Sequence, residues 1–156
     1  NLTPPAGSKN VEELAEIIRA AGVPFIVKGV MTVKGAQKAK KAGAAAIVVS
    51  NHGGRVLDQC PATAEGLPEI AEAVGGGSMK ILVDGGIRNG SDVFKALALG
   101  ADGVLICRPF VTAVYGGAEE GVAELITRIG GQLKDTMAMC GAHSLSEITR
   151  DMVRKF

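Results

Sequence analysis

Short apolar runs alternate along this chain with longer stretches in which apolar residues recur every three or four positions. The runs at 25–28, 46–49, 80–84 and 103–107 are too brief for helices, and they read as strands buried in a parallel sheet. The periodic stretches predict helices around them. One opens at Asn10, ahead of Val11, Leu14, Ile17 and Ile18, with Glu13 completing a capping-box pattern and Gly22 as a stop. Others fall at 33–42, 67–74, 91–99 and about 119–139, the last marked by Val122, Leu125, Ile126, Ile129, Leu133 and Met137. Ser144 with Glu147 three residues on signals a final helix before Ile148 and Met152-Val153.

The pattern repeats. Ile26-Val27-Lys28-Gly29, a helix, Gly43-Ala44 and the strand at 46–49 are echoed by Leu82-Val83-Asp84-Gly85, a helix, Gly100-Ala101 and the strand at 103–107. Such units argue for parallel pairing through right-handed crossovers. Four strands, each followed by a helix, make half of an eight-fold (β/α) barrel. Residues 1–9 form a Pro/Gly/Ser-containing arm expected to be flexible, and 10–156 form the half-barrel. The start Asn1-Leu2-Thr3-Pro4-Pro5, without an initiator Met, reads as that of a fragment or processed product.

Composition narrows the classes. The chain has 156 residues, 47% of them hydrophobic but only 3% aromatic, so Ala, Val, Ile and Leu must build the core. A net charge of +1 gives no electrostatic reason to expect nucleic acid or an anionic membrane as partner. No apolar run approaches the ~20 residues of a membrane helix. Cys60, Cys107 and Cys140 lack metal-site spacing and are odd in number, which points to a reducing compartment, the cytoplasm, and away from a disulfide framework.

The candidate chemistry sits where the strands end. Ser50-Asn51-His52-Gly53-Gly54-Arg55 follows the second strand: His52 suits a base, Arg55 a clamp for a carboxylate, and the two glycines permit close approach of a flat molecule. Lys28, at the end of the first strand, is either a solvated lysine or a cation that stabilises developing negative charge. Asp84-Gly85-Gly86-Ile87-Arg88 precedes a helix opened by Asn89, a cradle suited to an anion. Arg108, in Cys107-Arg108-Pro109, follows the fourth strand. If the strands are numbers 5 to 8 of a barrel, Arg88 and Arg108 lie on the two loops that bind phosphate in such folds. No dinucleotide or P-loop glycine motif occurs in the right context. His143, Met137, Met139 and Met152 read as structural.

These residues, together with Val27-Lys28-Gly29-Val30, the run Asp92 to Ala101 and Ser144-Leu145-Ser146-Glu147-Ile148, resemble the FMN-dependent α-hydroxy acid oxidases and dehydrogenases, from about residue 10 to the end. The resemblance implies the C-terminal half of a (β/α)8 TIM barrel, strands 5–8, with FMN at its mouth and a small L-2-hydroxy acid as substrate. It implies that Lys28 lies by the flavin N1/O2 edge, that Ser50 is close to the flavin, and that His52 removes the substrate proton while Arg55 holds the carboxylate. Asp84, Gly86, Arg88 and Arg108 would contact the ribityl phosphate, with Gly53, Gly85 and the backbone of Cys107 in the same cofactor-binding set. Cys107 departs from the glycine usual before Arg-Pro in that family. The family's N-terminal half, with its substrate tyrosines and the aspartate that pairs with the catalytic histidine, has no counterpart here, and Tyr115 is no substitute. A missing half-barrel or a second copy is therefore the expected partner. Two further readings remain: an FMN- or phosphate-binding half-barrel without turnover, and another FMN-dependent barrel enzyme such as an isomerase.

Overall fold

The computed structural model describes residues 7–154. Most of the expected arm, residues 1–6, lies outside that range. Helix α1 (Val11–Ala21) begins as its sequence dictates: Asn10 Oδ1 accepts from the Glu13 N–H at 2.8 Å while Glu13 Oε2 accepts from the Asn10 N–H at 2.8 Å. Strands β1 (Ile26–Val30), β2 (Ala46–Val49), β3 (Lys80–Val83) and β4 (Gly103–Val104) form one parallel sheet in the order β1-β2-β3-β4. Helices α2 (Val33–Lys41), α3 (Thr63–Val74), α4 (Gly90–Ala98) and α5 (Arg108–Cys140) follow the four strands in turn. Four βα units in sequential order make the expected half-barrel.

The core lies between sheet and helices. Every residue of β2 is buried, as befits a strand flanked on both sides, and Ile47, Val49, Ile81 and Val83 pack with Leu67, Ile70 and Val74 of α3 and Ala36 and Ala39 of α2. A second cluster joins α4 to α5 through Val93, Leu125 and Ile129. At that crossing a side chain on Gly90 would collide with the backbone of Leu133, and the Gly90 N–H donates to Gln132 Oε1 at 3.1 Å. The repeat seen in sequence is a repeat in conformation: Gly43 (φ +90°) and Gly100 (φ +101°) end equivalent units.

Five expectations change. Lys28 lies within β1, not at its end, because the strand runs on through a bulge at Gly29: Lys28 pairs with Val48 and Val30 with Val49, leaving Gly29 extra. The odd residue turns Val30 into the helix-facing core beside Val27, while Lys28 keeps to the other face. The fourth strand is only two residues long: the Leu105 N–H still donates to the Val83 carbonyl at 2.9 Å, and the chain through Ile106 and Cys107 then lines the cleft; α3 also begins four residues earlier than its periodicity suggested. The last long helix starts at Arg108 and breaks at Gly117 and Ala118, where Ala118 takes φ +44°. The final helix is two 3-10 turns, Leu145–Glu147 and Arg150–Met152. There no capping box forms: Ser144 Oγ donates to Glu147 Oε1 at 2.9 Å and the His143 N–H to Glu147 Oε2 at 3.0 Å, and the Ser144 side chain accepts no backbone N–H.

Candidate active site

Parallel strands present their C-terminal ends at one rim, so the loops after β2, β3 and β4 converge there. A cleft of about 470 Å³ opens at that rim, lined by Lys28, His52, Gly53, Arg55, Asp84, Gly85, Gly86, Arg88, Cys107 and Arg108, with Ile87, Leu105, Ile106 and Pro109. Its volume suits a cofactor-sized ligand. The residues singled out from the sequence for the site are in that lining except Ser50 and Gly54.

Ser50 is fully buried beneath the cleft, and its hydroxyl works as a junction. Its Oγ accepts from Lys28 Nζ at 3.0 Å and from the His52 N–H at 3.2 Å. Lys28 Nζ also pairs with Asp84 Oδ2 at 3.0 Å, so β1, β2 and β3 are cross-linked at the cleft floor by one ammonium. The Lys28 side chain remains 45% exposed, which leaves its charge open to a ligand.

His52 begins a short 3-10 turn, His52–Gly54, in the left-handed region at φ +55°. The loop is held in that shape by Asn51, whose Oδ1 accepts from the Gly53 N–H at 3.0 Å and whose Nδ2 donates to the Pro61 carbonyl at 3.2 Å. His52 and Arg55 are both exposed and face one cavity. Thr63 secures the next loop: buried, it donates from Oγ1 to the Asp84 carbonyl at 2.7 Å. Neither Asn51 nor Thr63 was singled out from the sequence as a support, because each acts on a residue distant along the chain or on a turn invisible to periodicity.

Arg88 and Arg108 stand exposed on the same cleft, and among the described residues neither guanidinium pairs with a carboxylate. A Cβ on Gly86 or Gly53 would meet nothing within 4 Å, so the wall between the arginines and His52 is open. Two unpaired guanidiniums, a glycine-lined wall and the N-terminus of α5 fit a phosphate-bearing planar cofactor such as FMN. Tyr115 is 90% exposed on α5 and has no place in the cleft. No group of three or more His, Cys, Asp or Glu suited to a metal occurs among the described residues, and none of their helices is long and apolar enough to cross a membrane.

Comparison with known proteins bears on the family and the fold. Residues 5–155 match the sequence model of the FMN-dependent dehydrogenases. A peroxisomal (S)-2-hydroxy-acid oxidase of Oryza sativa subsp. japonica is 44% identical over 152 residues, covering 97% of this chain and 40% of that protein. An L-lactate oxidase of Lactobacillus jensenii is 46% identical over 143 residues, covering 92% of this chain and 35% of that one. A mandelate oxidase variant solved with an FMN monooxide adduct superposes with a TM-score of 0.86 at 40% identity, over 91% of this chain and 45% of the other. The chain thus spans about two fifths of the length of the curated relatives it matches.

Proposed function

Because this chain belongs to the FMN-dependent dehydrogenase family, we propose that it is the part of a 2-hydroxy acid oxidoreductase that grips the flavin phosphate and carries the base. The observation that carries the reading is the convergence of His52, Arg55, Lys28 and the two unpaired arginines on one cleft. Arg88 and Arg108 hold the phosphate, with the backbone of Gly85, Gly86 and Cys107 beside them. Arg55 orients a small L-2-hydroxy acid by its carboxylate, and His52 takes a proton from that substrate onto its imidazole. When bound, FMN would accept the two electrons and the second proton of the substrate, the first having gone to His52, which leaves the 2-oxo acid as product. Lys28, fixed by Ser50 and Asp84, holds positive charge where negative charge develops. The three free cysteines suit a reducing compartment such as the cytoplasm.

A second reading is favoured by the chain's span of about two fifths of its relatives: a flavin-binding half with no turnover of its own. One experiment separates the two. With FMN and L-lactate or glycolate under anaerobic conditions, bleaching of the flavin supports catalysis, and yellow flavin that stays bound supports binding alone. If bleaching occurs, His52→Ala abolishes it and leaves the flavin bound; full bleaching in that variant would remove His52 from the mechanism.

A further inference from the structure

The His52 ring rests on the bulged residue of β1. An ideal Cβ built on Gly29 would stand 2.5 Å from His52 Cε1, 3.3 Å from Nε2 and 3.5 Å from Nδ1, so the imidazole occupies the space that any side chain at position 29 would need. Gly29 also takes φ +89°, a conformation that L side chains rarely adopt, and it is the unpaired residue in the β1–β2 ladder. From the other side, the His52 N–H is tied to Ser50 Oγ and the residue itself is held at φ +55°. Backbone fixes one end of His52, and the bare Cα of Gly29 lies under the other.

We propose that Gly29 is a positioning residue for His52: the bulge exists to bring a residue without a side chain beneath the imidazole, and it thereby sets where the ring sits in the cleft. The proposal rests on the reading of His52 as the base, but its test does not require turnover. The chain has only two histidines, so the imidazole resonances of His52 and His143 are readily told apart in NMR spectra. Gly29→Ala shifts the His52 ring resonances and leaves those of His143 in place. Gly43→Ala is the matched control, because Gly43 has nearly the same φ (+90°) and nothing within 4 Å of its added Cβ. It strains the backbone equally and leaves His52 unmoved. An unshifted His52 in Gly29→Ala, or an equal shift in Gly43→Ala, overturns the proposal.

Should Gly29→Ala fold too poorly for spectra, thermal midpoints decide. Measured in a His52→Ala background, the loss of Tm caused by Gly29→Ala shrinks to that of Gly43→Ala; an equal loss in both backgrounds shows that the ring is not what Gly29 accommodates. In FMN-loaded protein that bleaches with substrate, Gly29→Ala slows bleaching about a hundredfold, the scale of a base displaced by about an ångström, and leaves flavin affinity unchanged. A shifted His52 ring in a chain that never bleaches flavin would sustain the seat and defeat the catalytic reading.

Discussion

Arg88 and Arg108 reach the cleft from different loops and have no carboxylate partner among the described residues, so each is free to give its full charge to a phosphate. Charge-assisted hydrogen bonds of this kind contribute about 1.5–3 kcal/mol. Arg88→Ala should therefore weaken FMN roughly 10- to 100-fold and leave riboflavin, which lacks the phosphate, unaffected; quenching of flavin fluorescence reads both. An equal loss for the two flavins would take Arg88 away from the phosphate. At this scale the sequence was informative wherever chemistry is local: the imidazole, the guanidiniums and the glycines after the strands announced themselves by type and position. It was silent on contacts made through space. Ser50 is buried beneath the cleft with its hydroxyl engaged by Lys28 and the His52 N–H, and the seat that Gly29 offers His52 joins a bulge within β1 to the loop after β2.

The elements divide by how completely neighbouring residues determine them. Helix α1 appears where Asn10 and Glu13 placed it, because a capping box is a contract among four consecutive residues. The Ser144–Glu147 pair has the same spacing but not the same bonds: Ser144 Oγ donates to the Glu147 carboxylate instead of accepting from a backbone N–H, and only a 3-10 turn follows, with no buried residue to sustain a helix. The break in α5 at Gly117 and Ala118 left no mark on the hydrophobic spacing, since the expected periodicity began beyond it. Away from the cleft, β3 and β4 are joined by Asp102, which accepts from Lys80 Nζ at 2.9 Å and from the Ile81 N–H at 2.8 Å. Burial of Asp102 works to raise its pKa, but the bond from the Ile81 amide and the bond and charge of Lys80 outweigh it and hold the carboxyl below its usual 3.8. A depressed carboxyl stabilises the fold above its unfolded pKa, and that stability is lost as pH falls through the folded value. Asp102→Asn should thus lower Tm at neutral pH and flatten the decline of Tm below about pH 4. An acid limb as steep as that of the parent would show that Asp102 does not couple to folding.

The whole molecule is a sheet with two open ends. β1 and β4 each have a single strand partner, and Ile26 on β1 and Leu105 just past β4 are exposed. Unpaired edges that run in the same direction can join without reversal, so β4 of one chain can pair with β1 of another and keep both mouths at one rim. We expect the chain alone to self-associate in sedimentation experiments, and a monodisperse monomer at every concentration would count against open edges in solution. The relatives are more than twice as long as this chain, and here the cleft has walls from β1 to β4 only. The central claim is narrower than catalysis: this half holds the flavin by its phosphate. Titration of the unmodified chain with FMN and, in parallel, with riboflavin tests it most directly. The account predicts one FMN bound per chain, more tightly than riboflavin; equal affinity for the two, or no FMN bound at all, would contradict it.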